Sequence, residues 1–165
     1  MEADTLSMDA NTLWAEARAM PHSFIPDPDT DGEYLWRLYG AARMGHAEAM
    51  AKIGDYAFRR QALVEAFYWK WKAQANGWKG KDPPTLRDIR KTWMLARYPT
   101  EYENVSDWFS EEQGMFARAV LRLQCGVNQV TARQRLRDLA AIGQEDALLF
   151  GRIESPNGGA SRTNP

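Results

Sequence analysis

Small and apolar residues recur at helical spacing between positions 34 and 77. A first set comprises Ala41, Ala42, Gly45, Ala49, Ile53 and Gly54, and a second comprises Ala66, Trp69, Ala73 and Gly77. Alanine lets two helix backbones approach closely, and glycine adopts the left-handed conformation that ends a helix. This stretch therefore predicts antiparallel helix pairs that stack tightly.

The same reading along the chain predicts helices and no strands, because no segment alternates apolar and polar residues. Counted with their capping residues, the predicted helices cover 11–20, 30–44, 47–58, 62–76, 86–97, 110–124, 131–141 and 145–152. The predicted fold class is all-α, with seven or eight helices in one domain over residues 1–154. The last eleven residues, 155–165, predict a flexible tail.

Four of these helix starts carry the residue types of a capping box, a hydroxyl residue followed three positions later by an acid or amide. The pairs are Thr30 with Glu33, Thr85 with Asp88, Ser110 with Gln113, and Thr131 with Gln134.

The fourth predicted helix, 62–76, is apolar on nearly all sides, and Glu65 and Lys72 form its polar stripe. A helix of this kind is usually buried between neighbours. Tyr68 and Trp71 admit two interpretations, since they either belong to the core or form an exposed docking face.

The first set of small residues resembles the signature of the Sel-one-like repeat family, a branch of the tetratricopeptide-like α/α solenoids, and His46 lies where that family often has histidine. The resemblance covers about half the chain, since a second unit ending at Gly143 is degenerate. Segment 78–109 is either a diverged repeat or an insertion. The resemblance implies a short right-handed α/α solenoid of stacked helix pairs.

The same resemblance implies a non-catalytic scaffold that binds another protein on a helical surface. Members act as adaptors, as secretion-linked factors and as immunity proteins that neutralise toxins. We therefore expect a protein partner, such as a toxin or a secretion-linked component, and a steric mechanism. The chain contains no nucleophile elbow, phosphate loop or paired-carboxylate motif, and we expect no enzyme activity and no cofactor.

Composition and charge restrict the classes of partner and the cellular location that we expect. The formal net charge is −1, so no global field attracts nucleic acid or an anionic membrane. The one cysteine, Cys125, excludes an internal disulfide and is best interpreted as a small packed residue. The N-terminal residues lack an apolar run, and no stretch approaches the length of a membrane span. These features predict a cytoplasmic protein.

The predicted partner-binding surface combines basic and aromatic residues with part of an acidic loop over 98–109. Its members are Arg59, Arg60, Tyr68, Trp71, Lys72, Trp78, Tyr102 and Trp108. Aromatic residues and arginines dominate interface energies. The alternative is nucleic acid, because segment 59–97 interleaves aromatic residues with ten basic and only three acidic ones.

Two metal hypotheses are weaker. Asp27, Asp29 and Asp31 match the first half of a calcium loop, but position twelve is Leu38 rather than a bidentate carboxylate. An acidic helix start explains the same residues. His22 and His46 are far apart in sequence, and neither has a further ligand at metal spacing, so we expect no metal site.

Overall fold

A computed structural model describes residues 9–98, 106 and 108–154. Eight helices and no strand occur in these ranges, which confirms the all-α fold class. The helices are α1 (Ala10–Arg18), α2 (Gly32–Arg43), α3 (Ala47–Arg59), α4 (Leu63–Ala75), α5 (Leu86–Leu95), α6 (Glu111–Cys125), α7 (Gln129–Ala141) and α8 (Glu145–Glu154). The predicted tail, 155–165, lies outside the described residues.

The chain groups into two compact units, Met1–Phe109 and Ser110–Pro165. In unit 1, each helix from α1 to α5 packs against the next one along the chain. In unit 2, α7 packs against both α6 and α8, and α6 also contacts α8. Three residues join α2 to α3, α3 to α4, α6 to α7 and α7 to α8, and connections this short favour packing of consecutive helices against each other. None of the described helices is both long and apolar enough to cross a membrane.

Two of the four predicted capping boxes are present. Thr85 with Asp88 and Ser110 with Gln113 each exchange both hydrogen bonds of the motif at the starts of α5 and α6. The box at Thr30 is wrong, because α2 begins at Gly32 and its N-cap, Asp31, makes no side-chain cap bond. Instead, the Asp31 carboxylate accepts a hydrogen bond of 2.9 Å from the backbone N–H of Asp27.

The predicted box at Thr131 is also wrong. Helix α7 begins at Gln129, two residues earlier, after a tight turn from α6. Asn128 takes a left-handed conformation in that turn, with φ of 49°. Asparagine tolerates this conformation better than most residues, so the turn finishes before Thr131 is reached.

The alanines of α3 and α4, together with Gly54 of α3, let these two helices lie close together, as the sequence predicted. Ala49, Ala66 and Ala73 have no exposed surface. A Cβ added to Gly54 would lie 2.8 Å from Cγ of Lys70 and 3.3 Å from the carbonyl oxygen of Ala66. A side chain at position 54 would therefore force the Lys70 stem or the backbone of α4 to move.

Gly45 shows how the helix pairs are joined. Its φ of +95° lies in the left-handed region, and it follows the last residues of α2. The backbone N–H of His46 then donates to the carbonyl of Ala41 at 3.0 Å, which closes the end of the helix. Nδ1 of His46 in turn accepts a hydrogen bond of 3.2 Å from the backbone N–H of Ala49 and caps α3, so the prediction of a helix-start histidine is confirmed.

Candidate functional site

Unit 1 contains a pocket of about 350 Å³ that draws side chains from four helices and two loops. Its walls include Trp14 of α1 and Trp78 from the loop after α4, both half-buried. His22, between α1 and α2, stacks on Tyr34 with ring centroids 4.1 Å apart. Because these residues span positions 14 to 82, the fold of unit 1 assembles the pocket.

The aromatic side of the pocket is held in place by neighbouring side chains. The hydroxyl groups of Tyr34 and Tyr56 are 2.5 Å apart in a buried hydrogen bond. Burial, followed by this hydrogen bond, raises the pKa of the Tyr34 phenol, so that phenol stays neutral. Trp14 lies 5.1 Å from the ring of His46 and carries the guanidinium of Arg18 over its face at 5.7 Å.

The base of the pocket is a buried ion pair between α3 and α4. Nζ of Lys70 lies 2.5 Å from Oδ1 of Asp55, and the Lys70 side chain has no exposed surface. The same ammonium lies 4.5 Å from the ring centroid of Trp78, within the range of a cation–π contact. Burial lowers the pKa of Lys70, and Asp55 opposes that shift.

Two of the predicted partner-binding residues are in the core. Tyr68 is 1% exposed and Trp71 is 6% exposed, so the interpretation of these rings as a docking face is wrong for this conformation. Helix α4 packs against both α3 and α5, and the Tyr68 ring also lies against the ring of Phe109, with centroids 5.5 Å apart. Lys72, which is half-buried, places its ammonium 5.8 Å from the ring centroid of Tyr68. Among the predicted partner-binding residues Tyr68, Trp71, Lys72 and Trp78, Trp78 lines the pocket.

Arg59 and Arg60 follow each other at the end of α3 and make contacts within the chain. The Arg59 guanidinium lies 3.9 Å from the ring centroid of Phe24 and donates a hydrogen bond of 2.7 Å to the Phe24 carbonyl. Arg60 donates to Oε1 of Glu65 at 2.9 Å. Glu65 is 0% exposed, so its assignment to a polar stripe of α4 is wrong.

The remaining predicted residues lie in or beside the acidic loop. Trp108 is half-buried and stacks on Tyr39 with centroids 4.9 Å apart, and the guanidinium of Arg43 lies 4.7 Å from the Trp108 ring. Tyr102 lies outside the described residues. The structure therefore separates the predicted surface into the pocket residue Trp78, the Arg59 contact, and the Trp108 stack.

The nucleic-acid alternative depends on exposed rings for bases to stack on. Trp69 and Trp71 are 4% and 6% exposed, and Lys70 between them is paired with Asp55. The interleaved aromatic and basic residues of α4 therefore form no stacking platform in this conformation.

In the segment that matches half a calcium loop, the carboxylates of Asp27 and Asp31 accept hydrogen bonds from backbone N–H groups. Oδ1 of Asp27 accepts from the N–H of Asp29 at 3.2 Å, and Oδ2 of Asp31 accepts from the N–H of Asp27. Across the described ranges, no three His, Cys, Asp or Glu side chains are placed to hold a metal ion. Asp27 and Asp29 lie in the loop before α2, and Asp31 is the N-cap of that helix.

Sequence reasoning missed the charges inside α4. Glu65 and Lys70 are both fully buried, and each has a charged partner, Arg60 directly after α3 and Asp55 on α3. The signal was present, because a helix that is apolar on nearly all sides buries any charge it carries, and a buried charge needs a partner. His22 was also missed as a pocket residue, because the sequence does not reveal its contact with Tyr34.

Unit 2 has a pocket of its own, of about 560 Å³, lined by residues that include Leu136, Phe150, Arg133 and Arg137. It contains none of the residues predicted to bind a partner.

Comparisons with known proteins do not assign the chain to a family. No family model matches it, and no curated protein or solved structure matches it at a significant level. The resemblance to Sel-one-like repeats, carried by positions 41 to 54, stays a prediction.

Proposed function

We propose that this chain is a non-catalytic protein-interaction module and that the pocket of unit 1 receives a side chain of the partner. The observation that carries the proposal is the pair of half-buried tryptophans, Trp14 and Trp78, in the wall of a pocket with a charged base. Tryptophan is among the residues that contribute most to protein interfaces, especially when it lines a pocket.

Trp78 is favourably placed for this role because it lines two neighbouring pockets. The second, of about 400 Å³, also includes Glu48 and Asp82. The Lys70 ammonium beside its ring restricts the side chain before any partner binds. Less rotational freedom is then lost on binding, which favours affinity.

The pocket also fits a steric mechanism. Its buried ammonium, Lys70, is already paired with Asp55 rather than poised beside an acid or base relay. A module of this kind would hold or occlude its partner, as an adaptor or as a dedicated inhibitor.

Selection from a phage-displayed peptide library tests the proposal, with affinities of selected peptides measured by calorimetry. We expect Trp14→Ala and Trp78→Ala to weaken binding about 30-fold each, because truncating an interface anchor costs about 2 kcal/mol. Trp36→Ala is the matched control, because Trp36 is 50% exposed and does not line the pocket. Failure to select any peptide, or equal losses in the Trp36 variant, would contradict the proposed function.

A further inference from the structure

Positive charge is concentrated on the first helix pair of unit 2. Residues 113–137, which cover most of α6, the turn after it and most of α7, contain five arginines and no lysine, aspartate or glutamate. The arginines are Arg118, Arg122, Arg133, Arg135 and Arg137. Burial, followed by the positive charges of Arg118 and Arg135, lowers the pKa of the half-buried Arg122 guanidinium. This helix pair therefore attracts anionic groups.

Two of these arginines border the pocket of unit 2, whose volume is about 560 Å³. Arg133 and Arg137 are both exposed and lie one turn apart on α7. Leu136 of the same helix and Phe150 of α8 are 8% and 7% exposed, and both line the pocket. The acidic residue of the lining is Glu154, at the end of α8. Buried apolar side chains thus lie next to a rim on which two positive charges face one negative charge.

The guanidinium groups at this rim keep most of their hydrogen-bonding capacity. Arg137 donates a hydrogen bond of 2.7 Å to Oε1 of Gln134, and each guanidinium has five N–H donors. Arg133 makes no hydrogen bond or ion pair with the described part of the chain. One guanidinium can donate two parallel hydrogen bonds to a carboxylate or a phosphate. An anionic group can therefore bind both arginines without displacing an ion pair of the described residues.

The apolar interior of the pocket favours a protein segment over other anionic partners. Single-stranded nucleic acid stacks its bases on accessible aromatic rings, but the aromatic residues within 110–154 are Phe116 and Phe150, which are 0% and 7% exposed. A membrane presents a flat surface, whereas a cavity of this size encloses a small ligand or a side chain. A protein segment supplies both an apolar side chain for the interior and carboxylates for the rim.

We propose that the pocket of unit 2 binds an acidic segment of a partner protein, in which an apolar side chain lies next to two carboxylates. The apolar side chain packs against Leu136 and Phe150, and the carboxylates accept hydrogen bonds from Arg133 and Arg137. Residues one helical turn apart have Cβ atoms about 5–6 Å apart, so acidic residues one turn apart on a partner helix match the two arginines. This surface goes beyond the proposed function, which concerns the pocket of unit 1.

Three fluorescein-labelled peptides test the inference on the full chain. The first is an alanine-rich helix that carries a leucine and two glutamates, one turn apart, on the same face. The second has glutamine in place of both glutamates, and the third has alanine in place of the leucine. Fluorescence anisotropy at about 0.15 M salt measures their affinities.

We expect the first peptide to bind about tenfold more tightly than either of the others, because each of those lacks one part of the contact. Equal affinity of the first and second peptides, or of the first and third, would overturn the inference. Absence of saturable binding of the first peptide up to about 1 mM would overturn it as well.

Arginine variants of α7 give the matched control. Arg133→Gln removes one charge at the pocket, whereas Arg135→Gln removes one charge from an exposed position of the same helix that does not line the pocket. We expect Arg133→Gln and Arg137→Gln to weaken binding of the acidic peptide about tenfold each, and Arg135→Gln less than about twofold. Circular dichroism checks that the helices persist. Equal losses at positions 133 and 135 would overturn the inference, because they would indicate a response to net charge alone.

Two further measurements separate this inference from its alternatives and from the proposed function. Tighter binding of oligothymidylate or of phosphatidylserine vesicles than of the acidic peptide would overturn the inference in favour of a phosphate-bearing partner. Trp78→Ala removes a side chain from the pocket of unit 1, and we expect it to leave the affinity for the acidic peptide unchanged. A loss in that variant would overturn the assignment to unit 2, whereas loss of acidic-peptide binding in Arg133→Gln leaves the proposed function of unit 1 unaffected.

Discussion

At the residue scale, Glu65 joins three parts of unit 1. Its Oε1 accepts hydrogen bonds from Arg60 and from the backbone N–H of Ser106, each at 2.9 Å. Its Oε2 accepts from the hydroxyl of Ser106 at 2.6 Å, and that hydroxyl also accepts a hydrogen bond of 3.2 Å from Tyr39. A buried carboxylate with this many donors holds Ser106 against α4, close to the Trp108 stack.

We predict that Glu65→Gln lowers the free energy of unfolding by about 2 kcal/mol, because it weakens charge-assisted hydrogen bonds in a buried site. Glu33→Gln is the matched control. Glu33 also pairs with an arginine, Arg37, but its side chain is 76% exposed, and exposed pairs contribute little. Urea denaturation followed by tryptophan fluorescence measures both. Equal losses in the two variants would show that Glu65 does not organise this region.

At the element scale, the approach of α3 to α4 places the pocket's base. Gly54 lies on α3 one residue before Asp55, and its missing side chain leaves room for the stem of Lys70. The close helix contact and the buried ion pair therefore depend on the same glycine.

We predict that Gly54→Ala destabilises the protein by about 1–2 kcal/mol, because overpacking outweighs the gain in helix propensity. Gly151→Ala in α8 is the control, since nothing lies within 4 Å of a Cβ added there. That variant should gain about 0.5–1 kcal/mol from propensity alone. Thermal melts by circular dichroism at matched protein concentration compare them. A stabilised Gly54 variant would mean that α3 and α4 are not in tight contact.

At the scale of the whole molecule, the two units can be followed separately. All seven tryptophans lie before residue 109, so tryptophan fluorescence reports on unit 1, whereas circular dichroism reports on the helices of both units. The aspartates whose pKa is lowered also belong to unit 1. In Asp9, Asp31 and Asp88, the leading cause is a hydrogen bond donated by a backbone N–H to the carboxylate.

We predict that unit 1 loses stability in acid through these carboxylates. The pKa of Asp88 is lower in the folded chain than its ordinary value of 3.8, so its contribution is present above pH 3.8 and is lost as the pH falls through the folded pKa. Asp88→Asn keeps an acceptor at the cap but does not titrate. The melting temperatures of the natural chain and this variant, followed by fluorescence, should converge as the pH falls. A gap that stays constant from about pH 7 to about pH 2 would contradict this assignment.

Three aromatic residues show how much of the candidate site could be predicted from the sequence. It identified Trp78, which lines the pocket, and it included Tyr68 and Trp71 in the binding surface while leaving open whether they belong to the core, where the structure places them. An aromatic ring on α4 satisfies helical spacing equally well whether a neighbouring helix covers it or not. Helix α4 packs against both α3 and α5, and the angles and positions of these helices relative to α4 are not encoded in any pattern of spacing.

The sequence by itself determined where the helices lie, where most of them end, and which small residues let neighbouring helices approach closely. These features depend on contacts within one or two turns of chain, where propensity, capping and left-handed glycines act. Only the tertiary structure decided that Asp55 meets Lys70, that Glu65 is buried, and that Trp14 and Trp78 share a pocket. Those contacts join residues 15 to 64 positions apart, and their energies depend on which surfaces the packed helices remove from water.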